Sequence, residues 1–150
     1  MSIKKMITFS LSSVLLTLAG SISTLALISQ SAIAADLTVN ISEVSQGKGH
    51  VLVGLYSGEQ AYIQGKTSFG SRVKATKVQE QVIFKDVPDG EYAIKIYQDE
   101  NSNQKLDFNI MGIPKEGYGY SNNVGMFGTP DYQEAKFTIK DKTEIAIELF

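Results

Sequence analysis

The chain has 150 residues, 14 Lys+Arg against 16 Asp+Glu, with 43% hydrophobic and 20% charged, the balance of an ordinary globular protein rather than a disordered one. It contains no cysteine, no tryptophan and one histidine, His50, which excludes disulfides, thiol nucleophiles, thiolate metal sites, two-histidine metal centres and indole stacking on a sugar. A net charge of −2 without a basic cluster leaves no electrostatic footprint for nucleic acid.

Residues 1–34 read as a cleaved secretory signal peptide. Met1-Ser-Ile-Lys-Lys5 is a short positive start, and Met6 to Ile28 carries no charge. Ala32-Ile33-Ala34 then places small residues three before and one before a cut ahead of Ala35. An uncharged stretch of about 23 residues could also anchor the chain in a bilayer. Polar and small residues such as Ser10, Thr17, Gly20 and Ser23 dilute it, however, and the cleavage pattern follows at once. Cleavage leaves residues 35–150 as a single domain, periplasmic or extracellular, with no membrane span. Loss of Lys4 and Lys5 takes the charge from −2 to −4.

Beyond Ala35 the hydrophobic period is two. Leu37, Val39 and Ile41 alternate with Thr38, Asn40 and Ser42, and His50–Tyr56 is apolar on both faces, as in a central strand. Arg72–Val78 and Gln81–Val87 predict two further strands, the second ending in the turn Pro88-Asp89-Gly90. Tyr92, Ile94 and Ile96 then alternate with Glu91, Ala93 and Lys95. Near the C-terminus, Glu134–Lys140 and Glu144–Leu149 repeat the pattern. No helix of twelve residues is expected. Seven strands with one dry face each predict an all-β fold, a single antiparallel β-sandwich of the immunoglobulin-like or prealbumin-like kind.

One segment breaks the alternation. Asp99 to about Gln133 is roughly 35 residues long, against about 4–6 for a usual connection, and holds Pro114, Pro130 and five glycines. Its rings, Tyr118, Tyr120, Phe127 and Tyr132, predict an ordered excursion over one end or edge of the sandwich, where a functional surface is expected.

Several runs carry a resemblance. Phe84-Lys-Asp-Val-Pro-Asp-Gly-Glu-Tyr92 leads into Ala93-Ile-Lys-Ile-Tyr-Gln-Asp-Glu-Asn101, followed by Leu106-Asp107, Pro114-Lys-Glu-Gly-Tyr-Gly-Tyr-Ser-Asn-Asn123 and Phe127-Gly-Thr-Pro-Asp-Tyr-Gln-Glu-Ala-Lys-Phe137. Together they resemble the exported bacterial family known as domain of unknown function 2141, over roughly Leu37 to Leu149. That resemblance implies secretion and no established activity. The Val-Pro-x-Gly-x-Tyr pattern is also similar to transthyretin-like and collagen-adhesin B-type sandwich modules, an analogy of fold alone. Two positions depart from the family: Gln98 stands where a histidine is usual, and Gln104 follows Asn103 where Gly is usual. A role that needed the histidine is thereby in doubt for this chain.

Asp99, Asn101, Asn103 and Asp107 occupy relative positions 1, 3, 5 and 9 of an EF-hand loop, with Lys105 placed to offer a backbone carbonyl. Such spacing lets hard oxygens converge on one Ca²⁺. Gln104 replaces the turn glycine and Ile110 the closing glutamate, so a further carboxylate would come from Glu100, Glu116 or Asp131. The competing reading is a set of Asx turns that orders the strand exit. Gly117-Tyr-Gly-Tyr-Ser-Asn-Asn123 offers Tyr118 and Tyr120, with Tyr132, as contacts for a sugar or peptide; against this, the rings could roof the core.

His50 reads as a half-buried structural histidine, and no G-x-S-x-G elbow is present. Asp99 and Asp107 could form an acid/base pair only by facing each other across a cleft. The terminal Phe150 is reminiscent of outer-membrane barrels, but runs of about seven residues are shorter than the 9–11 such strands need.

The expected function is a non-catalytic binding or accessory module of the cell envelope, with an envelope glycan or protein as partner and one calcium ion in the 99–107 loop. A hydrolase working through loop carboxylates, and a structural protein pairing through a sheet edge, are the alternatives.

Overall fold

The computed structural model describes residues 34–150. The expected leader lies outside the described residues except for Ala34, which opens the first strand. Eight strands are present among the described residues: β1 (Ala34–Ser42), β2 (His50–Ser57), β3 (Phe69–Lys74), β4 (Glu80–Pro88), β5 (Gly90–Asp99), β6 (Tyr118–Tyr120), β7 (Phe137–Ile139) and β8 (Thr143–Glu148). Two short helices accompany them, α1 (Gly58–Gln64) and α2 (Tyr132–Ala135), together with a 3-10 turn at Ser121–Asn123.

The strands form two sheets. One has the order β4-β1-β8; the other runs β3-β2-β5-β6, with β7 also paired to β5. Alternation decides which side chains meet. Leu37, Val39 and Ile41 of β1 are buried against Val51, Val53 and Leu55 of β2 and Ile94 and Ile96 of β5 in one core. The all-β sandwich expected from the period of two is therefore the fold observed. Among the described residues, the core's buried members run from Ala35 to Leu149.

Four details differ from the sequence expectation. The third strand is Phe69–Lys74 rather than Arg72–Val78, because Phe69 pairs with Leu55 and Lys74 with His50. Beyond Lys74 the chain turns: the backbone N–H groups of Thr76 and Lys77 both donate to Glu80 Oε1, at 2.7 and 2.8 Å. The strand expected over Glu134–Lys140 shortens to β7, because Tyr132–Ala135 coils into α2. β8 runs parallel to β1, from Leu37↔Thr143 to Ser42↔Glu148, the one parallel pairing among the described strands.

The last difference concerns the excursion. It leaves β5 at Asp99 and returns as β6, pairing Tyr118 with Tyr97 and Tyr120 with Lys95. β7 then continues along the same edge of β5, from Tyr92↔Phe137 to Gly90↔Ile139. Gly119 makes that return possible, since a Cβ there would stand 2.9 Å from the Glu148 carbonyl oxygen and 3.1 Å from Ile147.

Gly49 precedes β2 with φ +57°, and a Cβ on it would fall 1.8 Å from the Asp99 carbonyl oxygen. Neither backbone can retreat, because His50 and Asp99 are ladder partners. Gly49→Ala should lower the unfolding free energy by about 3 kcal/mol, from steric overlap and left-handed strain together. Urea denaturation measures this, and a loss under about 1 kcal/mol would contradict the geometry.

Candidate binding site

β5 ends in a polar latch. Gln98 is fully buried; its Oε1 accepts from Ser45 N–H at 2.9 Å, and its Nε2 donates to the carbonyls of Ser45 and Lys48 at 2.8 and 2.7 Å. Gln98 thus clamps the turn between β1 and β2. Asp99, 2% exposed, accepts from the N–H groups of Asn103 (3.0 Å) and Gln104 (2.9 Å). Glu116 is also buried and reaches back to accept from Glu100 N–H and Asp107 N–H, at 2.9 and 3.0 Å. Two carboxylates therefore carry four backbone donors that the loop could not satisfy by a ladder.

The four Asx residues of the expected calcium loop do come together. Asn101 Oδ1 accepts from Asn103 N–H, and Asn103 Oδ1 from Lys105 N–H, forming successive Asx turns. The Nδ2 groups of Asn101 and Asn103 donate to the Asp107 carboxylate, at 2.5 and 3.1 Å. Gln104 has φ 62°, the left-handed conformation for which an EF-hand loop uses glycine. Among the alternative carboxylates, Glu100 pairs with Lys48 at 3.1 Å, and only Glu116 is built into the loop. No group of three or more His, Cys, Asp or Glu among the described residues is placed to hold a metal. The oxygen donor set has the hardness Ca²⁺ requires, but turning the Asn101 and Asn103 carbonyl oxygens toward a cation would break the Asx turns those oxygens make.

Beside this loop the outer face of the second sheet is open. Leu52 and Tyr56 of β2, Lys95 and Tyr97 of β5, and Tyr118 and Tyr120 of β6 line a cleft of about 390 Å³, and no carboxylate is among its lining residues. Gly54 and Gly70 sit opposite each other across β2 and β3, leaving that part of the sheet without side chains. Across Leu106, Tyr118 and Tyr120 the cleft adjoins a second groove of about 500 Å³. Tyr118 lies edge-on to both Tyr120 and Phe150, with centroids 6.1 and 5.7 Å away.

Lys95 is the cation of the cleft. Its Nζ stands 3.9 Å from the Tyr62 ring centroid and 5.2 Å from that of Tyr56, and donates to the Tyr62 carbonyl at 2.9 Å. Burial lowers its pKa. Burial, with the charges of Asp99 and Glu116, raises that of Tyr97; burial and then Tyr120 raise that of Tyr118. Both phenols therefore stay protonated at neutral pH. The Tyr118 hydroxyl donates to the Met126 carbonyl at 2.7 Å.

Tyr132 does not join Tyr118 and Tyr120. It is 4% exposed and packs against Tyr62, with ring centroids 5.7 Å apart, in a second cluster that includes Tyr56, Ala93 and Ala135. The expected contact at Tyr132 is corrected accordingly: α2 turns the ring inward, beneath the surface. Sequence reasoning missed Tyr97 and Tyr56. Their positions on the face opposite Ile96 and Leu55 were the available signal. His50 is half-buried on this same face beside Arg72, whose Nη2 lies 2.9 Å from His50 Nδ1.

The architecture and this surface define a small β-sandwich that carries a ring-lined cleft along one sheet and a polar loop at its end. The chain belongs to the family described as "Uncharacterized protein conserved in bacteria (DUF2141)", whose model matches residues 39–146. No curated protein and no solved structure matches it.

The carboxylate of Glu116 spans two strand-exit amides, and an amide side chain would keep one acceptor in place of two. Glu116→Gln should cost about 1–3 kcal/mol in stability and speed amide exchange at Glu100 and Asp107. Unchanged exchange at both amides would show that Glu116 is not the latch.

Proposed function

We propose that this chain is an exported, non-catalytic binding or accessory module of the cell envelope that holds an envelope glycan or protein along its ring-lined cleft. The observation that carries this reading is the lining itself. Tyr97 and Tyr118 are the half-buried rings that offer apolar faces, Tyr56 and Tyr120 form the buried floor beneath them, and Lys95 offers a fixed cation. The hydrolase alternative draws less support, because Asp99 and Glu116 are committed to backbone N–H groups and Asp107 to two amides. A structural role through strand pairing would use β4, an outer strand of nine residues with Ile83 exposed.

Insoluble peptidoglycan is the first probe. The protein beginning at Ala35 should co-sediment with it, and Tyr97→Ala with Tyr118→Ala should weaken binding about fivefold or more, since each stacked ring is worth about 0.5–1.5 kcal/mol. Sedimentation equal in both proteins would remove the cleft from the function.

A calcium ion in the 99–107 loop is the second element of the proposal, favoured by the spacing of Asp99, Asn101, Asn103 and Asp107 and the left-handed Gln104. Asp99 and Asp107 would supply charge, Asn101 and Asn103 neutral oxygens, and Lys105 a carbonyl. Calorimetric titration should show saturable binding in the range of about 0.1–1 mM that Asp107→Ala abolishes, with a rise in Tm. No heat and no Tm shift at about 10 mM Ca²⁺ would leave the loop as Asx turns alone.

A further inference from the structure

The ring-lined cleft does not end at β6. Leu106, Tyr118 and Tyr120 also line the groove of about 500 Å³, which is walled by two apolar loop tips, Asn109–Ile113 and Gly125–Gly128. Phe108 and Ile113 stand on one side of it, Met126 and Phe127 on the other, each more than half exposed. The first wall is a small ladder. Phe108 bridges to Pro114, Asn109 N–H donates to the Ile113 carbonyl at 2.9 Å, and Lys115 N–H to the Asp107 carbonyl at 2.8 Å. In the second wall, Gly128 N–H donates to the Gly125 carbonyl at 3.2 Å, and the Met126 carbonyl accepts from the Tyr118 hydroxyl at 2.7 Å. The groove is therefore formed before any ligand arrives, as ligand sites usually are.

Charge says what such a ligand carries. Among the described residues, the groove lining holds no charged side chain, and Lys95 is the one charged side chain in the lining of the cleft. In a chain with more Asp+Glu than Lys+Arg, two adjoining cavities without a carboxylate favour an anion there. Lys95 is in no ion pair among the described residues, and of its three ammonium donors the Tyr62 carbonyl takes one. Burial lowers its pKa, and an incoming anion would relieve that penalty on the charged form. The cation also stands where the cavities join: Lys95 is the ladder partner of Tyr120, and Tyr97 that of Tyr118. Strand addition by a peptide is closed off beneath the cleft, because β2 and β5 are each hydrogen-bonded along both edges. A glycan needs no such edge, since it rests on ring faces and bonds through its hydroxyls.

We infer that the cleft and the groove together hold an acylated acidic glycan: its hydrocarbon chain lies in the groove against Ile113 and Phe127, a sugar rests on Tyr97 and Tyr118, and its acidic group meets Lys95. The inference rests on the glycan reading of the cleft and deepens it by the chain and the charge. Cavities of about 390 and 500 Å³ each fall within the range of about 300–1,000 Å³ common to small-ligand sites.

Four probes take the ligand apart. Dodecyl glucuronide has chain, sugar and carboxylate; dodecyl glucoside lacks the carboxylate, free glucuronate the chain, and N-dodecanoylglycine the sugar. Each is titrated calorimetrically, below its critical micelle concentration, into protein expressed as the full chain and recovered after export. A buried methylene is worth about fourfold, so dodecyl glucuronide should bind at least about a hundredfold more tightly than glucuronate. It should exceed the glucoside and the acylglycine by about tenfold each, and Lys95→Met should remove its advantage over the glucoside. Ile113→Ser with Phe127→Ser, both at exposed sites, should weaken binding of dodecyl glucuronide about tenfold or more. Glucuronide bound no better than glucuronate, or equally by wild type and the groove variant, overturns the inference. Equal binding of the acylglycine also overturns it, as does a wild-type dimer that the groove variant converts to monomer. Peptidoglycan has no alkyl chain and so reads the cleft by itself. Co-sedimentation kept without any chain preference removes the groove and spares the cleft; co-sedimentation lost removes the glycan reading beneath both.

Discussion

The structure depends on β5 having both of its edges hydrogen-bonded. One edge pairs with β2 over eight residues, His50↔Asp99 to Ser57↔Tyr92. The other is divided between β7 near the start of the strand and β6 near its end. An unpaired backbone group buried away from water costs about as much as a lost hydrogen bond, so the chain that leaves β5 at Asp99 is compelled to come back to it. That return sets the excursion down against the outer face of the second sheet. It also explains why the site lies on the outer face of this sheet and not between the sheets.

The same return needs a firm starting point, and the latch supplies it. Gln98 fixes the β1–β2 turn, Asp99 fixes the first turn of the loop, and Glu116 ties the loop's two ends together. These side chains are buried because their partners are backbone groups, which a carboxylate can satisfy in pairs without a cation. From that base the loop runs over Leu106 to the apolar tips on one side and to β6 on the other. The cleft and the groove beside the tips therefore share Leu106, Tyr118 and Tyr120.

Strands were legible wherever one face is dry and the other wet. β1, β5 and β8 follow their alternation because burial acts on every second residue. The third strand lies at Phe69–Lys74 and not at Arg72–Val78 because Phe69 pairs with Leu55, a partner that no local pattern names. α1 was missed since seven residues are too few to show a helical period. The Asx spacing from Asp99 to Asp107 could be read directly, as local hydrogen bonds depend on local order. Tyr132 misled because its neighbours, Tyr62 and Ala93, come from α1 and β5.

The sequence by itself determined the fold class, the central place of His50–Tyr56, the excursion as the unusual element, the polar loop and the family. Each of these is a property of residues close together in the chain, where periodicity and turn chemistry act. Tertiary structure alone decided that the excursion re-pairs with β5, that Tyr132 is interior while Tyr97 lines a cleft, and that the two apolar tips meet. Those outcomes depend on which distant segments share a sheet edge, and the backbone's demand for partners is met there by geometry that no local pattern encodes.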